Sequence, residues 1–148
     1  MGRRTACPPR AWPPRARNGP TSPRCPRPGA LLGGGPRGAE GRAPATAAAI
    51  GARIAGFAGS VLATGSRRTG AAAEEALVGA LAPVPHRLHR WGAGGANPYA
   101  GMLAWADMVV VTGDSVSMLS ESLATAAPVF IADPGGLGPR HRRLHDSL

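Results

Sequence analysis

From Ala30 onward the chain alternates short aliphatic runs with segments whose apolar residues recur at helical spacing. Ala30-Leu31-Leu32 is the first run and passes into Gly33-Gly34-Gly35-Pro36, a predicted strand ending in a glycine-rich loop. Thr46 to Ala58 predicts a helix with Ile50, Ile54 and Phe57 on one stripe. Ser60 to Thr64 predicts the second strand, followed by the polar loop Gly65-Ser66-Arg67-Arg68-Thr69. A second helix over Ala71 to Leu81 turns Ala73, Leu77 and Leu81 inward and sets Glu74 and Glu75 near its positive end. His86 to Trp91 predicts a third strand. Asn97-Pro98 predicts a helix start, with Asn as N-cap and Pro at the first helical position, and that helix runs to Ala106.

Met108-Val109-Val110-Val111-Thr112 is continuous and rich in β-branched residues, as a strand buried on both faces requires. Gly113-Asp114 leads into a helix ending near Ala126, and Val129 to Ala132 is the fifth predicted strand, closed by Asp133-Pro134-Gly135-Gly136. Arg140 to Leu148 begins a further helix. Five strands separated by four helices predict right-handed βαβ units and an α/β fold with a doubly wound, Rossmann-like parallel sheet.

Composition divides the chain in two. Residues 1–28 hold seven Arg, eight Pro, both Cys and no acidic residue, and read as a disordered Arg/Pro-rich tail or as out-of-frame translation. Residues 29–148 read as the folded domain, with ten Arg against eight acidic residues, so most of the formal charge of +9 belongs to the tail. A near-neutral body without interleaved aromatics argues against a nucleic-acid partner. Every basic residue is Arg, which together with 22 Gly and 16 Pro reads as a GC-rich gene and points to a bacterial source. Cys7 and Cys25 match neither a CxxC nor a zinc spacing. His86 and His89 face opposite ways on a strand, and His141 and His145 have no third ligand nearby, so neither a metal nor a cofactor is expected. No run of 18 apolar residues and no secretory apolar region occurs, which predicts a cytoplasmic protein without a transmembrane segment.

Ligands of such sheets bind beyond the carboxyl ends of the strands, where strand order reverses. The loops on that rim are Gly33–Gly35, Ser66–Thr69, Trp91–Asn97, Gly113–Ser117 and Asp133–Gly136, and their candidate ligand residues are Gly34, Gly35, Ser66, Arg67, Arg68, Thr69, Asp114, Ser115 and Ser117. The helix after Gly113-Asp114 offers free N–H groups and the positive end of a dipole to a phosphate. Val116, Leu119 and Leu123 form its expected buried stripe, while Asp114, Ser117 and Glu121 share the opposite side, where Glu121 can accept bonds from sugar or ribose hydroxyls. The competing reading makes Asp114 or Ser115 a helix cap and leaves Glu121 solvated. Arg67 and Arg68 suit bidentate pairing with a diphosphate, or else form an exposed pair of loop cations. Gly33–Gly35 lets a ligand approach the backbone, but the spacing is not GxGxxG, so a nicotinamide dehydrogenase is not indicated.

Leu31-Leu32-Gly33-Gly34-Gly35-Pro36, Ser66-Arg67-Arg68-Thr69, Asn97-Pro98-Tyr99, Ala106-Asp107, Val111-Thr112-Gly113-Asp114-Ser115-Val116-Ser117-Met118, Ser120-Glu121 and Pro128 to Ile131 together resemble the C-terminal half of the mitochondrial-fission ELM (elongated mitochondria) family. The likeness runs from about Pro28 to Leu148. It implies a two-domain fold like that of B-type glycosyltransferases, of which this chain supplies most of a truncated C-terminal domain, the one that binds a nucleoside diphosphate sugar. The N-terminal, acceptor-binding domain of that fold is then missing. The same resemblance allows a non-catalytic adaptor that recruits a protein partner, or a fragment without activity.

Overall fold

The computed structural model describes residues 28–31 and 41–135, with isolated positions at 139, 143 and 146. Gly34 and Gly35, the two cysteines, His141, His145 and the C-terminal helix expected from Arg140 lie outside the described residues. In chain order the elements are β1 (Pro28–Leu31), α1 (Pro44–Ala55), β2 (Val61–Thr64), α2 (Ala71–Leu81), β3 (His86–His89), α3 (Tyr99–Trp105), β4 (Met108–Thr112), α4 (Val116–Leu123) and β5 (Val129–Ala132).

The five strands form one sheet in the order β3-β2-β1-β4-β5, and every neighbouring pair is parallel. The order reverses at β1, which pairs with β2 on one side and β4 on the other. β1 begins at Pro28, the last residue of the segment read as a tail. A strand's first position tolerates proline because no ladder hydrogen bond is needed from it there.

The core has two parts, one on each face of the sheet. Ala47, Ile50 and Ile54 of α1 and Ala73, Leu77 and Leu81 of α2 pack with Val61 and Ala63 on one face, and Val110 adds to that side. Val109 and Val111 of β4 point the other way, onto Leu119, with Leu103 and Met118 around them. This alternation along β4 is the strand period of two, buried on both sides. Gly51 lets α1 press closely on α2, because a Cβ there would lie 2.9 Å from the Ala80 Cβ.

Three expectations about faces and ends need correction. α1 stops at Ala55, where the Gly56 N–H turns back to the carbonyls of Ala52 and Arg53. Phe57 therefore leaves the helical stripe and stands 43 % exposed, while Ala58 takes the buried place. In α4, Val116 and Leu123 are 44 % and 46 % exposed, and the buried face is Leu119 with Ser122. Ser122 is tolerated there because its hydroxyl donates to the Met118 carbonyl at 2.6 Å. β3 ends at His89, short of Trp91, which leaves that indole in the following loop. At α3 the Asn97 Oδ1 accepts from the Tyr99 N–H at 3.0 Å, so Asn97 still satisfies the helix start although the helix is bounded at Tyr99.

Candidate functional site

A cleft of about 320 Å3 opens at the carboxyl ends of β2, β3 and β4. The loop after β2 contributes Gly65, Ser66 and Arg67, and the loop after β3 contributes Trp91, Gly92 and Ala93. Asn97 and Tyr99 come from the start of α3, and Ser117, Met118 and Glu121 from α4. Ser66, Arg67, Ser117 and Glu121 were expected from sequence to share a rim, and they line one cavity. A larger groove of about 840 Å3 lies along β2 and β3 beside Trp105 and Met102, but its lining holds no hydroxyl and no carboxylate. The two cavities share only His89.

The Ser66–Thr69 loop is closed by its own hydrogen bonds. The Ser66 N–H donates to the Thr69 Oγ1 at 2.7 Å, and the Thr69 N–H returns to the Ser66 carbonyl at 2.9 Å. Thr69 is fully buried and absent from the cleft lining, so its hydroxyl shapes the turn rather than facing the cavity. Arg67 and Arg68 stand exposed at the loop's tip, and Arg67 lines the cleft while Arg68 does not.

Beneath this loop lies a buried carboxylate that the sequence assigned only to a helix dipole. Glu74 sits directly under Gly65, where any Cβ would overlap its Oε1. Arg90, just past β3, reaches Glu74 Oε2 at 2.8 Å with one nitrogen and Glu75 with another. The hydrogen bonds that Arg90 donates to Glu74, and then to Glu75, push its pKa up. One guanidinium thus ties the start of α2 to the end of β3 and holds the two loops that flank the cleft.

Asp114 and Ser115 stand outside the cavity lining. Asp114 is engaged from behind by Arg42, whose Nη2 lies 2.6 Å from Oδ2, with side chains 3 % and 16 % exposed respectively. The same nitrogen approaches the Thr112 Oγ1 at 3.5 Å. The other Asp114 oxygen is buried without a hydrogen bond. Ser115 occupies the N-cap position of α4, but its side chain makes no cap hydrogen bond. Arg42 and Arg90 went unnoticed in the sequence because a lone Arg carries no spacing signal, and each finds its partner only through the fold.

At the far wall the Tyr99 hydroxyl is buried and closes no hydrogen bond. Burial foremost, and then the nearby Glu121 carboxylate, push its pKa above the ordinary tyrosine value. Glu121 itself is exposed to the cleft. Among the described residues no cluster of three or more metal-ligating side chains occurs, and no helix is long and apolar enough to cross a membrane.

Comparison with known proteins bears on this geometry. Residues 14–148 match the family described as Mitochondrial fission ELM1, a stretch that begins upstream of the Gly29 boundary suggested by composition. The Mitochondrial fission protein ELM1 of Arabidopsis thaliana is 41 % identical over 73 residues, which is 49 % of this chain. The matched region spans only 17 % of that relative's length. No solved structure matches the chain.

Proposed function

This chain belongs to the mitochondrial fission ELM1 family, and on that premise we propose that its sheet rim is the nucleotide-sugar-binding part of a Rossmann-like, B-type glycosyltransferase-like domain. The observation that carries the proposal is the convergence of Ser66, Arg67, Ser117 and Glu121 on one cleft at the carboxyl edge of a parallel sheet. Hydroxyls and a guanidinium suit a diphosphate, and Ser117 lies in the first turn of α4, where the helix dipole favours negative charge. Glu121, one turn further along, accepts bonds from sugar or ribose hydroxyls. In this reading Thr69 and Asp114 hold the loops in shape, and Arg68 adds charge at the cleft's mouth. Transfer of the sugar to an acceptor would require a facing domain, as the two-domain fold supplies.

The test is calorimetric titration of the chain, and of a full-length relative, with uridine and guanosine diphosphate sugars. Saturable binding that Arg67→Ala and Glu121→Gln weaken supports the proposal, and no binding of any such sugar by either protein defeats it. A second reading, an adaptor that recruits a protein partner, is favoured by the exposed Val116 and Leu123 on α4. It requires that partner capture survive the Arg67 and Glu121 substitutions and fail when Val116 and Leu123 are made polar.

A further inference from the structure

Trp91 is 61 % exposed, the largest exposure among the large apolar side chains of the described residues. It nevertheless lines the polar cleft beside Ser66, Arg67 and Glu121. The loop that carries it is built to present rather than to pack. Gly92 and Gly95 take positive φ of 77° and 95°, and the Ala93 N–H closes a turn onto the Arg90 carbonyl at 3.1 Å. Arg90, one residue before, is fixed by Glu74 and Glu75, so the base of the loop is anchored while the indole stands largely in solvent.

We propose that Trp91 is the stacking platform for the nucleobase of the bound nucleotide, an inference that rests on the nucleotide-sugar reading of the same cleft. An indole left in water beside a charged cleft gains most from a flat ring laid on its face. The residues next to it on the loop, Gly92 and Ala93, supply area and no side-chain hydrogen-bonding group. A hydroxylated sugar ring requires acceptors, and those come from Glu121 and the serines instead. The cleft is therefore divided: Arg67, Ser66 and Ser117 meet phosphate, Glu121 meets hydroxyls, and Trp91 covers the base. Stacking is open to any base, since every base has a flat π-face.

The experiment titrates the full chain and its Trp91→Ala, Trp91→Phe and Arg67→Ala variants with uridine diphosphate, guanosine diphosphate and inorganic pyrophosphate. Loss of base stacking corresponds to about ten-fold weaker nucleotide binding or more. Trp91→Ala is expected to show that loss for both nucleotides and none for pyrophosphate, with Trp91→Phe close to the parent. Arg67→Ala weakens all three. Nucleotide binding that Trp91→Ala leaves unchanged, or an equal loss for pyrophosphate, overturns the platform while leaving the phosphate site standing. Failure of the parent chain to bind any of the three removes both.

Discussion

Asp114 sits at a strand-to-helix turn, where a carboxylate can face either a ligand or the protein's own cations. The ion pair with Arg42 at 2.6 Å, with the Arg42 side chain almost wholly enclosed, ties this turn to the rest of the fold. Replacing Asp114 by Asn removes a carboxylate paired with a buried cation, a change that costs about 3 kcal/mol where such pairs are broken from one side. Urea unfolding of Asp114→Asn is expected to show a loss of that size with no ligand present. Tyr99 offers a second check at the same scale. It is the sole tyrosine of the chain, so phenolate absorbance reports on it alone. Its folded-state pKa is raised by burial and then by Glu121, so the unfolded chain ionises first, near pH ~10. The tyrosine's contribution to stability is then complete below that value and is lost as pH climbs from there toward the higher folded-state pKa. The phenolate of the native chain should appear at higher pH than that of the chain in urea, and Tyr99→Phe should flatten the alkaline fall in stability. Coincident titrations of the two states would contradict this.

At the scale of elements, legibility followed how local the determining forces are. The β-branched run Met108 to Thr112, the strand Val129 to Ala132 and the helix Ala71 to Leu81 have the bounds that their own patterns predict. Helix faces were less legible when the helix was short. Over the eight residues of α4 a wedge of apolar side chains fits more than one rotation, and packing on Val109 and Val111 selects the one that buries Leu119. Leu119→Ala should therefore cost about 3 kcal/mol by chemical denaturation. Val116→Ala and Leu123→Ala should stay within about 0.5 kcal/mol, as exposed positions do. Equal losses at Leu119 and Val116 would mean that the helix is turned the other way. The same rotation carries Ser117 and Glu121 to the cleft, so this stability measurement also bears on the site.

For the whole molecule, the parallel order and the gathering of loops on one rim were readable because βαβ connections leave few arrangements open. Which rim residues face the cavity was not readable. That choice is set by contacts such as Arg42 with Asp114, 72 positions apart in the chain, and Arg90 with Glu74, 16 apart. Turns that bind phosphate and turns that hold their shape use the same small polar residues, so sequence does not separate the two roles for Asp114 and Thr69. Binding and folding can be separated across the molecule by linkage. A nucleotide sugar present at a hundred times its dissociation constant should raise the unfolding free energy by about 2.7 kcal/mol. Arg67→Ala should keep the baseline stability and lose that increment, since Arg67 is exposed and supports no packing. Asp114→Asn should lower the baseline and keep the increment, since its carboxylate is engaged behind the cleft. If Asp114→Asn instead lost the increment, the carboxylate would belong to the ligand, and its pairing with Arg42 would be the resting state of a site that opens on binding.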